Sequence, residues 1–301
     1  MPTPIAPAGS KPPSQRAPYS AIVDRPPLRL PNNGRIIVWS IVNLEVWDIS
    51  RPMARQVIPP PTGIPLLPDV PNWSWHEYGM RVAFWRMRKM YARVGAKPTV
   101  AINARTCETY PQVVQACLES GWELNAHSYE QIPMHRLDDQ RSVIGKTMAI
   151  IEKFAAKRPR GWFGPGLTQT FDTVDHLAAA GIEYIGDYVL DDEPVTLTTK
   201  HGPIVALPYT FEVHDIVMMN LQHLPSEAFH ARAMDHFNCL YAESTERAKL
   251  MAISCHPYLS GVPHRIGHVE RTFADILSHA GVVAWDGGCI LDWYRTQVPA
   301  G

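Results

Sequence analysis

The sequence predicts an α/β fold, either a (β/α) barrel or a doubly wound open sheet, and three observations carry that expectation. Short β-rich runs alternate with stretches of helical periodicity, several of the runs are apolar almost throughout, and polar residues stop four of them at the same polarity. Continuous apolar runs mark strands buried on both faces, as in a parallel sheet. A βαβα alternation then leaves these two architectures. The barrel makes the sharper demand, because functional side chains must gather at strand C-terminal ends. Strand one runs into Asn43, Leu44 and Glu45, strand three ends on His127, strand five on Asp187 and strand seven on His256.

Taken in order, residues 1–34 read as a Pro-rich N-terminal arm, since sixteen of the 28 prolines fall within the first 71 residues. Proline lacks a backbone donor and fixes φ, which excludes helix interiors and central strands. Such an arm is either disordered or draped over its own domain or a neighbouring subunit. The barrel domain follows over 35–301. Its candidate strands are Arg35–Val42, Pro98–Asn103, Trp122–His127, Gly161–Phe163, Ile182–Gly186, Ile204–Leu207, Leu250–His256 and Val282–Trp285. Ile58 to Asp69 is a second Pro-rich stretch, a loop long enough to serve as a lid or binding segment. Phe84, Met87, Tyr91 and Val94 recur at helical spacing, as do Ile266, Val269, Phe273 and Ile276. Residues 138–156 and 226–247 also read as helices.

Composition narrows the function. With 28 Lys+Arg against 29 Asp+Glu the net charge is −1, so neither a nucleic acid nor an anionic membrane is an expected partner. Five widely spaced cysteines form no Cys-x-x-Cys pair. No Gly-x-Gly-x-x-Gly or Walker sequence supports a nucleotide. No secretory signal and no run of 18 apolar residues occurs. The expectation is a cytoplasmic protein acting on a small molecule, as a homo-oligomer to which the arm and the start of the helix at Glu77–Arg81 contribute contacts.

The strand ends supply the candidates. Glu45, just past a buried strand, is placed to act as a base or a metal ligand, although a loop or cap carboxylate would look the same. His127 is followed at four residues by Gln131, and glutamine is a poor zinc ligand. His256, delivered before a proline, suits a general acid near neutral pH. Either histidine could instead be a structural hydrogen-bonding residue. Asn43, Gln131, Trp162, Tyr209 and Asp187 are the candidate substrate-binding residues, and Trp47, Trp73 and Trp75 are further aromatic walls. Core packing is the competing reading for Trp162.

Five segments, in this order, resemble the polysaccharide deacetylase (NodB-homology) superfamily and its intracellular allantoinase-like and peptidoglycan-deacetylase-like branch. They are Val42-Asn-Leu-Glu45, Glu77-Tyr-Gly-Met-Arg81, Gly121-Trp-Glu-Leu-Asn-Ala-His127, Arg158-Pro-Arg-Gly-Trp162 and Cys255-His-Pro257. The resemblance spans about residues 35–297. It implies a distorted (β/α)7-type barrel that hydrolyses a non-peptide C–N bond. It also implies an acidic base beside an acidic ligand, of which only Glu45 is acidic here, flanked by Leu44 and Val46. Of two ligand histidines it implies the first is His127 and the second is replaced by Gln131. The general acid matches His256, and an arginine position is Phe163.

The leading expectation is therefore an amidohydrolase for a small, possibly cyclic, amide or ureide. Glu45 would activate water, His256 would protonate the leaving nitrogen, and His127 with Gln131 would hold the carbonyl. No metal is expected ahead of a divalent ion such as zinc, which Glu45 and His127 would hold if one binds. The alternatives are a metal-dependent N-deacetylase of an acetylated amino sugar and a catalytically inactive metabolite-binding protein.

Overall fold

The computed structural model describes residues 9–298; the first eight residues of the arm and residues 299–301 lie outside the described residues. Among the described residues, nine strands form one sheet: β1 Ile36–Leu44, β2 Thr99–Ile102, β3 Glu123–Ala126, β4 Gly161–Trp162, β5 Tyr184–Ile185, β6 Val195–Leu197, β7 Ile204–Ala206, β8 Lys249–Cys255 and β9 Val282–Ala284. Their order is β6-β7-β5-β4-β3-β2-β1-β8, with β9 beside the start of β1. Seven strands from β7 to β8 run parallel, and only the β6–β7 pair is antiparallel. The sheet curls into a distorted (β/α) barrel. Each strand expected from the sequence is present, usually trimmed by one or two residues; β6, a short edge with no long apolar run, is the addition.

Period-two alternation sorts the side chains into two cores. On β1, Ile36, Val38, Val42 and Leu44 join the larger core under the helices. Ile37, Trp39 and Ile41 join the barrel interior with Phe163, Tyr184, Leu207, Tyr209, Leu250 and Ala252. Trp39 stacks on Phe163 at 5.6 Å between ring centroids. One row of backbone registers runs Leu44, Ile102, Ala126, Trp162, Ile185, Ala206 across six strands. That row sets Glu45 and His127 at one level, one residue past the ends of β1 and β3.

The arm from residue 9 onward drapes over its own domain. Arg16 is fully buried and makes a bidentate pair with Asp175 at 2.7 and 3.0 Å, while also donating to Phe171 O and Thr198 O. Farther along, Ala248 N donates to Leu28 O at 2.9 Å and Trp293 Nε1 to Arg29 O at 2.9 Å. The Pro-rich segment after Gln56 is largely exposed and irregular. At its base Asn72 Oδ1 accepts from Val57 N and Ile58 N at 2.8 and 3.1 Å.

One boundary differs from the sequence reading. The helix expected to open at Glu77 begins at Val70, because Asp69 caps it by accepting from Asn72 N at 3.2 Å and Pro71 suits a first turn. Val70–Tyr78 continues through a π-helical turn at Gly79–Ala83 into Phe84–Val94. Gly79 is required there by close approach: a Cβ would lie 3.0 Å from Tyr258 N. Glu77 and Arg81 pair with each other at 3.2 Å.

Candidate active site

Three strand ends converge. Glu45 follows β1, His127 follows β3 and His256 follows β8, and parity sends all three side chains to the interior side. Gln131 Nε2 donates to Glu45 Oε1 at 2.8 Å, while His127 Nε2 lies 3.6 Å and His256 Nε2 3.5 Å from the same oxygen. Tyr258 Oη approaches the other oxygen, Oε2, at 3.5 Å. All three acid and imidazole groups are buried, Glu45 being 9 % exposed.

Each group is held by a neighbour. His127 Nδ1 faces Phe163 O at 2.8 Å; a carbonyl only accepts, so Nδ1 carries the hydrogen and Nε2 faces Glu45. Asn103 supports this loop: its Nδ2 donates to His127 O and, at 3.2 Å, to Gln131 Oε1, while its Oδ1 accepts from Val46 N. His256 Nδ1 donates to Asp215 Oδ1 at 2.8 Å. Asp215 Oδ2 accepts from His256 N at 2.5 Å and Ser260 Oγ at 2.8 Å.

The charges follow from these contacts. Burial alone would lower His256, but the Asp215 and Glu45 carboxylates outweigh it and raise it to about 9. Burial alone would raise Glu45, yet the His256 charge and hydrogen bond hold it well below the usual carboxylate range. Asp215 is lowered for the same reason, burial being overcome by His256. At neutral pH the site is thus an Asp215–His256–Glu45 chain, carboxylate, imidazolium, carboxylate.

The remaining sequence candidates sit around it. Asn43 lies behind Glu45 and donates to Ser254 Oγ at 2.8 Å, and Tyr209 Oη is 2.5 Å from that hydroxyl. Asp187 is one loop away, accepting from Gly164 N and Gln169 Nε2 at 2.8 and 2.7 Å; burial raises it to about 6. Trp162 has the opposite parity and is fully buried in the helix-side core. Sequence reasoning did not single out Asp215, His214, His76, Tyr258 or Asn103. Asp215 and His214 lie on an irregular segment before a π-helical turn, Ile216–Leu221, where no strand pattern flags them. His76 lies inside the helix that was expected to start one residue later.

His76 completes one wall. Its ring contacts Tyr258 at 4.1 Å, Trp47 at 4.9 Å and Trp75 at 5.4 Å between centroids. Burial lowers its pKa to about 3, so the ring is neutral.

The same arrangement can be set beside known proteins. The family model described as polysaccharide deacetylase matches residues 76–185. A protein of Schizosaccharomyces pombe named as a polysaccharide deacetylase is 28 % identical over 298 residues, covering 84 % of this chain and 88 % of the relative. Residues 76–185 thus carry a polysaccharide deacetylase domain, and most of the chain is similar to proteins of that superfamily. Its fold is shared with the crystal structure of Puue allantoinase (TM-score 0.81, 23 % identity) and with that of a polysaccharide deacetylase-type protein from Pseudomonas aeruginosa PAO1 (TM-score 0.81, 24 % identity). Each likeness covers 92 % of this chain and 96 % of the other.

Deacetylases of this superfamily typically use a metal ion, and two groups of donor atoms are candidates to hold one here. A His–Asp–His group is present, His214, Asp215 and His256, with ligand atoms within 4.8 Å of one another. Two of its ring nitrogens are already committed: His256 Nδ1 is bound to Asp215, and His214 Nδ1 accepts from Ile216 N at 3.0 Å. At Glu45 the neighbours are one carboxylate and two imidazole nitrogens, but His256 is held protonated by Asp215 and Glu45, and the Gln131 amide nitrogen has no lone pair to give a metal. As bonded here, neither set presents three free donors to a zinc ion.

Proposed function

We propose that the protein is a hydrolase that opens a C–N bond in a small, flat amide or ureide without a metal ion. The single observation that carries this reading is the Asp215–His256–Glu45 chain, which keeps a proton on His256 Nε2 at neutral pH within 3.5 Å of a carboxylate oxygen. An acid and a base side by side are what addition of water and expulsion of nitrogen need.

Substrate binds between Glu45 and His256, and separation from the His256 charge restores basicity to Glu45. Glu45 takes a proton from water as its oxygen bonds to the carbonyl carbon. His127 Nε2, fixed as an acceptor by Nδ1–H bonding to Phe163, holds that water in line, and the second amide hydrogen of Gln131 meets the developing oxyanion. His256 Nε2–H passes its proton to the leaving nitrogen as the C–N bond breaks. The proton on Glu45 then returns to His256 across the gap between them. The fold shared with an allantoinase and the aromatic wall around His76 support a flat cyclic ureide over a glycan.

The test is a hydrolysis screen of cyclic ureides, imides, lactams and acetylated amino sugars, run with and without chelator on metal-analysed protein. Turnover of a ureide or imide that survives chelation is the expected result. Turnover confined to acetylated sugars, or lost with stoichiometric zinc, would replace this reading with a metal-dependent deacetylase. Glu45→Gln and His256→Gln should each reduce kcat by about 10²–10⁴-fold.

A further inference from the structure

Buried polar atoms without partners cluster beside Glu45. Both ring nitrogens of His76 and Nε1 of Trp47 are closed off from solvent and find no well-formed hydrogen bond among the described residues. The Arg55 backbone approaches the His76 ring as a weak acceptor, short of a well-formed hydrogen bond. The two rings are in contact at 4.9 Å, and His76 is 7 % exposed. A buried donor or acceptor left unbonded is costly, and native proteins leave few. Three in one contact, next to a catalytic carboxylate, call for an occupant.

The chemistry of that occupant can be read from the atoms. Trp47 Nε1 is a donor only. A neutral imidazole donates from one nitrogen and accepts at the other, and burial keeps His76 neutral. Trp75 and Tyr258, 4.9 Å apart between centroids, pack against the His76 ring, and Tyr258 Oη reaches to within 3.5 Å of Glu45. These four side chains are themselves neutral, with the Arg55 guanidinium beside Tyr258 as the nearby positive charge.

We propose that Trp47 and His76 form a recognition subsite for the neutral amide edge of a flat ligand, an adjacent C=O and N–H such as a cyclic ureide or imide presents. Trp47 donates to the carbonyl oxygen, and His76 accepts from the N–H. The subsite deepens the ureide reading of the active site, but its test does not depend on turnover.

Calorimetric titration of Glu45→Gln protein with hydantoin, a planar cyclic ureide, reads the subsite directly. Hydantoin should bind, and 1,3-dimethylhydantoin, which keeps the ring and lacks N–H, should bind about 10-fold more weakly or worse. Trp47→Phe and His76→Phe, each added to that background, should weaken hydantoin by about 10-fold or more. Their unliganded Tm should stay level or rise, since each removes an unbonded buried group. Equal affinity for the two hydantoins, undiminished affinity in both Phe variants, or no hydantoin binding would overturn the proposal. The dimethyl comparison needs no further variant, so poor folding of a Phe variant cannot shield it. Wild-type protein that binds hydantoin but hydrolyses no amide or ureide would keep the subsite and remove the enzymatic reading.

Discussion

Asp215 touches two histidines and treats them oppositely. His256 bonds it through Nδ1 at 2.8 Å and also faces Glu45, which raises its pKa to about 9. His214 sits 3.6 Å away with Nδ1 already accepting a backbone N–H, so burial dominates and lowers it to about 3. The proposed acid is therefore loaded throughout the neutral range. Activity should fall as pH rises through about 9, when His256 Nε2 loses its proton. Asp215→Asn removes one of the two raising carboxylates, so a pH–rate profile should show that alkaline limb moving to lower pH and kcat falling. An unmoved limb would show that another group sets it. The same pair contributes to stability with the same sign. The folded pKa of His256 lies above its unfolded value of about 6.5, so its stabilisation is full below that value and is lost as pH rises through about 9.

At the scale of elements, period-two parity explains which strand residues reach the site. Gly161 and Phe163 face inward on β4 while Trp162 faces the helices, although all three are equally apolar in sequence. Gly161 is there because a Cβ would lie 2.3 Å from both Asn125 Nδ2 and the Tyr184 ring. Gly161→Ala should cost about 1–3 kcal/mol or more by overpacking, measured by denaturant unfolding. At the other end of the barrel, Thr99 Oγ1 and Gly287 N both donate to Glu123 Oε2 at 2.9 Å, tying the start of the helix Gly287–Gln297 to β3. Burial and Asp286 raise Glu123 to about 7. A carboxyl raised on folding favours the protein most when protonated, so this contribution declines as pH climbs from about 4.5 through 7. Glu123→Gln should accordingly raise Tm more at about pH 8 than at about pH 5; the reverse order would place the charge elsewhere.

Across the whole molecule, the arm is part of the fold. Arg16 is 1 % exposed and its partner Asp175 3 %. Removing one member of such a pair strands the other, at about 3–5 kcal/mol, so Arg16→Ala should lower Tm by several degrees while leaving the active site, on other loops, chemically intact. A kcat changed as much as the stability would tie the arm to catalysis instead. The helix layer offers a comparable test of the larger core: Phe273, fully buried and 5.4 Å from Tyr91 between centroids, should cost about 3–5 kcal/mol when cut to alanine.

How much of this was legible beforehand depends on how local each cause is. Strand positions, the parallel sheet and the polar strand ends at Glu45, His127 and His256 follow from hydrophobic patterning, which acts over a few residues. Gln131 in place of a second histidine is likewise visible in the chain and already argues against zinc. The start of the helix at Asp69 was a local signal too, a cap followed by proline, obscured by the proline-rich run before it. What only the tertiary structure decided is charge and company. Asp215 comes from a segment 41 residues before His256, and nothing nearby in sequence announces that it will meet that ring. His76 and Trp47 come from a helix and a loop separated by the whole Pro-rich stretch. The proline count, prominent in the composition, settled into a draped arm and one exposed loop. Burial and long-range pairing set protonation, and neither is a property of a short stretch of chain.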